Sequence, residues 1–474
     1  MHAEHDSSTS KAGHCDEGKG HLVCDAVSTD SALVDTTESR IVAINKEEAA
    51  LDQEIELEPT ELIRHSGTVQ RAGRLALASG HGSYRVKSHM ERVGRALGLD
   101  DVQAHVALTE ITTTSVRQQI FRTEVSEVRT VGINADRLSE LERYIGDLPE
   151  RERCERVEAE LDRIANKPPL YPPWANALSA GAACGAFAFL NNGGLVEVLG
   201  VLIAATLGQY LRRHLIHKGV NVFGVTMLAG AVASIGYLLL AWGFGALFAT
   251  PDQHVAGYVS AVLFLVPGFP LVTGALDIAR LDLSAGISRL TYALMVLVSG
   301  ALALWAVSAA VGLEPTPPAE SVLNPALMWT LLTIASFVGV FGFALMFNSP
   351  KRMALAAAVI GMIANVGRLV LIRELDVAPQ AAAAAAALLV GLLARAIATP
   401  MRVPRLTVSV PPVVIMVPGV AAMRAVFELN AGNSIAAMAF TVDAALVVGA
   451  LAIGLAVSRM LTDREWTFEA RRSL

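Results

Sequence analysis

Residues 263–282 read LFLVPGFPLVTGALDIARLD, and a related break recurs at 414–433, VIMVPGVAAMRAVFELNAGN. Each lies inside a long apolar stretch. Each carries proline and glycine at its centre: Pro267, Gly268 and Pro270 in the first, Pro418 and Gly419 in the second. Proline removes a backbone donor and clashes with the preceding turn, and glycine loosens the backbone. A helix interrupted there frees carbonyls on one side and N–H groups on the other. In lipid those groups must be buried in protein or line a cavity. A structural kink explains one copy as well as a binding site does; two copies favour the site.

Around the breaks, composition divides the chain. Of 474 residues 53% are hydrophobic, and the mean hydropathy is +0.47. Residues 1–170 are rich in Glu, Arg, Asp and His, whereas 174–460 are nearly continuous apolar blocks. The expectation is a soluble N-terminal part followed by a polytopic membrane domain. The net charge of −6 and the lack of a basic stripe with interleaved aromatics exclude a nucleic-acid partner. The opening MHAEHDSSTSKAGHCDEGKG has no apolar core of signal type, so the N-terminal part is expected to stay in the cytoplasm.

Cys15, Cys24, Cys154 and Cys184 form no CxxC pattern and no disulfide framework. His14, Cys15, His21 and Cys24 are metal-ligating types, but their spacing matches no standard zinc site, and a disordered tail over 1–60 is favoured. No cofactor is expected, and without a Walker A motif ATP drive is disfavoured.

A small α+β domain is expected over 61–170, in the order α-α-β-β-β-β-α-α. Val86, Met90, Val93 and Leu97 form one helical stripe. Strands are expected at 102–108, 110–116, 119–125 and 127–133. His81, Ser83, Tyr84, Arg85 and His89 permit an imagined nucleophile–base pair, but no GxSxG elbow supports it, and a helix start near Ser83 explains the same residues. KPPLYPPW (167–174) reads as a connector, with Tyr171 and Trp174 as interface anchors.

Ten spans follow, at about 174–191, 194–211, 221–248, 256–279, 289–312, 325–347, 353–372, 380–398, 406–428 and 437–459. With the N-terminus inside, the inner loops hold Arg212, Arg213, Lys218, Arg280, Arg289, Lys351, Arg352, Arg395, Arg402 and Arg405. The outer loops hold Lys or Arg only near Arg368 and Arg373, a positive-inside pattern that also places the C-terminus inside. Aligning Pro267 on Pro418 shifts the chain by 151 residues and carries Asp277 onto Glu428. Five spans separate the copies, so the fold expected is a membrane all-α protein of two inverted five-helix repeats, 171–313 and 314–474.

On this reading the half-helix N-termini at Gly268 and Gly419 favour a carboxylate. Arg424, inside the ninth span, either holds that carboxylate or snorkels outward. Asp277 and Glu428, near opposite interfaces, are candidates for gating or proton exchange, with a solvated helix end as the competing reading. Glu197 and Asp443 read as span ends, and the alanine run 381–387 as close helix packing.

These residues resemble the threonine/serine exporters. LALASGHGSYRVKSHMERVGRALGLD (75–100) is similar to the start of that family's cytoplasmic domain. LVPGFPLVTGALDIARLDLSAGISR is similar to its first membrane motif, with Pro267, Gly268, Pro270, Asp277 and Arg289 matching. PPVVIMVPGVAAMRAVFEL is similar to the second, with Pro418, Gly419 and Arg424 matching. The sequence departs in its His-containing tail, in GHGS (80–83) and at Ala422–Met423, which bears on substrate more than on fold. The resemblance implies a ten-span inner-membrane carrier that exports threonine and serine against protons. Pro267, Gly268, Pro270, Pro418, Gly419 and Arg424 would bind substrate, with Asp277, Arg289 and Glu428 in coupling or gating. Its partners would be a small amino acid, protons and lipid, and a homo-oligomer is compatible. The competing functions are a dicarboxylate exporter and a membrane-tethered hydrolase or sensor acting through the N-terminal domain.

Overall fold

Alternation decides the small sheet. A computed structural model describes residues 60–128, 132–248, 255–313, 324–463 and Trp466. The tail and its candidate metal set lie outside these residues. In the strand Glu110–Arg117, Ile111, Thr113 and Ser115 are buried and their neighbours are not. One face therefore rests on the helix Thr60–Ser79 (α1). Gln70 of α1 ties that face down, donating to the Ile111 carbonyl at 2.9 Å and to Ser126 Oγ at 2.8 Å. The strands Asp101–Val106 (β1), Glu110–Arg117 (β2) and Ile120–Glu127 (β3) pair antiparallel in that order.

The described residues thus form three strands rather than four. Glu127 of the fourth expected run closes β3 opposite Glu110. Residues 129–131 lie outside the described set. After them the Asn134 N–H donates to the Ser79 carbonyl at 3.2 Å, at the end of α1.

The expected helical stripe is present. Val86, Met90 and Val93 of Ser83–Ala96 (α2), with Leu97 just beyond, are buried. They pack with α1 and with Ala135–Gly146 (α3) and Cys154–Asn166 (α4) in one core.

The apolar part comprises Pro173–Leu190 (α5), Leu195–His217 (α6), Val222–Phe248 (α7), Val255–Ser260 (α8), Gly268–Ala279 (α9) and Leu283–Val311 (α10). Then come Pro325–Met346 (α11), Lys351–Arg373 (α12), Pro379–Met401 (α13), Arg405–Val414 (α14), Gly419–Asn430 (α15) and Ser434–Thr462 (α16). Among the described residues seven helices are long and apolar enough to cross a membrane. An eighth span is counted if Gly257–Leu265 and Gly268–Ala279, bent by 64°, are taken as one. The other two stretches read as spans are α5, of 18 residues, and the pair α14 and α15.

Both breaks have the same local cause. Pro267 sits at φ −81°, ψ 63°, and Pro418 at φ −77°, ψ 72°. The Gly268 N–H donates to the Val266 carbonyl at 2.9 Å, and the Gly419 N–H to Val417 at 2.8 Å. Each proline, with φ fixed by its ring, is therefore the centre of an inverse γ-turn. The turn redirects the chain, and a 12-residue helix restarts at the glycine. A 29-residue helix follows in both cases.

The N-terminal part is fastened to the helical part by polar contacts. The Ala135 N–H donates to the Phe347 carbonyl at 3.0 Å, and Asn348 Nδ2 to Asn134 Oδ1 at 2.8 Å. Tyr171, expected as an interface anchor, donates to the Ser349 carbonyl at 2.8 Å, while Trp174 stays 64% exposed. Helices α5 and α6 meet at Gly181, where a Cβ would lie 2.1 Å from Thr206 Oγ1 and 2.4 Å from the Leu202 carbonyl oxygen. Gly181→Val is expected to cost about 1–3 kcal/mol by overpacking. The readout is a lowered Tm of the detergent-solubilised protein; an unchanged Tm would mean the helices part without penalty.

Candidate functional site

The first break opens on a cavity of about 240 Å³. That is below the roughly 300–1,000 Å³ of pockets for drug-sized ligands. Its wall holds Pro267, Gly268 and Pro270 from the break, Thr273 one turn on, Arg289 and Tyr292 from α10, and Gln209 and Arg212 from α6. Gly80 and Ile133 from the N-terminal part cover one side.

The donors at the helix start are few. The Gly268 N–H is spent inside the γ-turn, and Pro270 has none. Positive potential in the cavity therefore comes from the helix dipole and from the guanidiniums more than from free backbone donors. The two guanidiniums differ. Arg289, 4% exposed, is paired with a carboxylate and donates from both terminal nitrogens, although its Nε makes no hydrogen bond among the described residues. Its Nε faces Asp277 Oδ2 at 3.2 Å, and it donates to Thr273 Oγ1 at 3.1 Å and to the His81 carbonyl at 2.9 Å. Arg212 has a buried Nε with no hydrogen-bond partner among the described residues. Gln209, three residues earlier on the same helical face, donates to Asn176 Oδ1 at 3.0 Å and leaves its own Oε1 buried and unpartnered. Neither residue was singled out as a site in the sequence. Arg212 read as a loop charge, and the available signal was the spacing of Gln209 and Arg212 on one face of an apolar helix.

Asp277 is buried and bridges two parts of the fold. Its Oδ1 accepts from the Ser83 N–H at 3.1 Å and from Ser83 Oγ at 3.0 Å. The residue before α2 is Gly82, which has no side chain to cap the helix. A carboxylate from α9 therefore does the capping. Ser83 Oγ also lies 2.8 Å from Asp282 Oδ2, which pairs with Lys87. One hydroxyl proton thus faces two carboxylates. This buried position departs from the solvated helix end weighed for Asp277.

The sequence-derived site residues divide. Pro267, Gly268, Pro270 and Arg289 share the cavity, and Asp277 adjoins it through Arg289. Pro418, Gly419, Arg424 and Glu428 do not line it. Gly419 backs onto Phe187, whose ring would lie 2.7 Å from an added Cβ. Arg424 is exposed, with its guanidinium 5.4 Å from the Phe440 ring centre, which is the outward placement. Glu428 is half-buried at the last turn of α15. The two breaks still touch, because Gly268 packs on Val414, the last residue of α14. Glu197, read as a span end, caps α6 by accepting from the Gly194 N–H.

Apolar helices of membrane-spanning length around a broken segment that opens on a small polar cavity are the build of a membrane transporter. Comparison with known proteins agrees. Residues 68–311 match the ThrE family model for threonine/serine exporters, and 332–461 match a second, described as "Threonine/Serine exporter, ThrE". The chain belongs to the threonine/serine exporter family. It is 32% identical over 246 residues to the "Probable succinate transporter subunit YjjP" of Escherichia coli, covering 50% of this chain and 92% of that protein. The Klebsiella aerogenes protein of the same name is 29% identical over 236 residues, 48% of this chain and 89% of the relative. A "Probable threonine/serine exporter" of Mycobacterium tuberculosis is 25% identical over 392 residues, 77% of this chain and 70% of the relative. No solved structure matches.

Proposed function

We propose that this chain is a secondary active exporter of small hydroxy amino acids, threonine and serine, across the inner membrane, coupled to proton antiport. The observation that carries the substrate class is the pair Arg212 and Gln209. One unpartnered guanidinium suits one carboxylate. One unpartnered amide oxygen on the same helical face suits an ammonium or hydroxyl donor. A dicarboxylate would want a second uncompensated cation, and Arg289 is already committed to Asp277. The names of the half-length relatives favour that second reading, a dicarboxylate exporter.

The architecture proposed with this function is ten spans in two inverted five-helix repeats, with both termini cytoplasmic. Its support is the matched pair of γ-turn breaks, 12-residue helices and 29-residue helices, together with the charge asymmetry of the loops. Asp277 and Arg289 are the proposed coupling pair. Pro418, Gly419 and Glu428 belong to the opposite, closed side of the same pathway.

Proteoliposome counterflow decides the substrate. Vesicles preloaded with threonine are expected to accumulate labelled threonine and serine, and to respond to a pH gradient. Accumulation driven by succinate and not by threonine would replace this reading by the dicarboxylate one.

A further inference from the structure

Within the N-terminal part three side chains that could hold a metal converge away from the cavity above. His81 Nε2 lies 3.4 Å from Glu142 Oε2, and His89 Nε2 lies 3.6 Å from the same oxygen. The three ligand atoms are all within 4.8 Å of one another. As hydrogen bonds the two contacts are long, since charge-assisted N–H···O bonds run at about 2.7–2.9 Å. Glu142 Oε2 and His81 Nε2 are buried with no hydrogen-bond partner among the described residues, and so is His89 Nδ1. Two of these orphans, His81 Nε2 and Glu142 Oε2, face each other and call for an occupant between them.

The spacing fits a metal ion. Ligands about 2.0–2.2 Å from a tetrahedral centre stand about 3.3–3.6 Å apart. Two of the three edges already have that length. The third closes by rotation of His89, whose Nδ1 nothing holds.

The surroundings supply what metal ligands need. His81 Nδ1 is 3.3 Å from the Ala76 carbonyl, which fixes the tautomer that leaves Nε2 with a lone pair. The other oxygen of Glu142 is held by Arg85 at 3.2 Å. His81 and Glu142 also line a separate cavity of about 70 Å³, which leaves room for a fourth ligand.

We propose that His81, His89 and Glu142 bind one divalent transition metal ion of the zinc class, with a fourth position open to that small cavity. The ion would clamp the loop His81–Ser83, whose carbonyl and amide are the groups bonded to Arg289 and Asp277. Metal occupancy would therefore stiffen the seam between the N-terminal part and α9.

The test is Co(II) titration of the full chain, purified without a polyhistidine tag. His14, Cys15, His21 and Cys24 are replaced by alanine or serine to silence the tail. One Co(II) per chain is expected, with the intense visible bands of a four-coordinate site, displaced by stoichiometric Zn(II). His81→Gln and His89→Gln should each weaken binding at least about 100-fold. A tail-silenced chain without these bands overturns the proposal, as does an isotherm that neither variant changes. Should the glutamine variants fail to fold, His89→Cys replaces them. It is expected to keep the ion and add a thiolate-to-Co(II) charge-transfer band, and a folded His89→Cys protein lacking that band overturns it equally.

Discussion

Replacing Arg212 by glutamine is expected to raise the KM for threonine by about tenfold to 100-fold, with the amount of folded protein unchanged. A hydrogen bond to a charged group contributes about 1.5–3 kcal/mol, and each 1.4 kcal/mol is a factor of ten. Arg212 makes no ion pair among the described residues, so removing its charge orphans no carboxylate of the protein itself. The loss should fall on substrate alone. Counterflow measured over a range of threonine concentrations reads this out. A variant with wild-type KM would move the carboxylate site elsewhere.

Arg289→Ala should behave differently. It leaves Asp277 buried and uncompensated, and breaking one side of a buried pair costs about 3–5 kcal/mol. The expected result is a large fall in Tm and faster proteolysis at the loop 80–83, because the His81 carbonyl loses its donor at the same time. Adding Asp277→Asn to Arg289→Ala should recover part of the loss. The asparagine still accepts from the Ser83 N–H and carries no charge to bury. If instead the two losses simply add, Asp277 and Arg289 are not coupled, and their proposed joint role in proton exchange goes with them.

Much of this was legible in the sequence wherever the cause is local. Proline and glycine act on their own backbone, so Pro267–Gly268 and Pro418–Gly419 announced the helix restarts that are observed. The stripe from Val86 to Leu97 also announced its buried face, because a helical period depends only on neighbours. The cavity was less legible. Arg212 stands at the end of a span, where the sequence shows a charge but not the side of the helix that presents it. Arg424 stands inside a span yet faces outward, since depth along a helix says nothing about direction around it. Ser83 and His81 were read as a helix start and an imagined catalytic pair because their real partners, Asp277 and Arg289, lie about two hundred residues away. The fourth strand failed for a related reason: by Asn134 the chain bonds the end of α1, a partner that β-propensity alone does not reveal.

The capping of α2 by Asp277 also sets an order of manufacture. The ribosome makes α2 first, with Gly82 at its start and no acceptor for the Ser83 N–H. The acceptor lies 194 residues downstream. At about 5–20 residues per second it emerges some 10–40 s later. Until then the Ser83 N–H has only water to bond, while the loop before it is held by the His81 and Gly80 N–H groups, which donate to the Ala76 and Leu77 carbonyls. The domain finishes folding only when the broken helix arrives beside it, so a truncated chain ending before Asp277 would leave that end of the domain frayed.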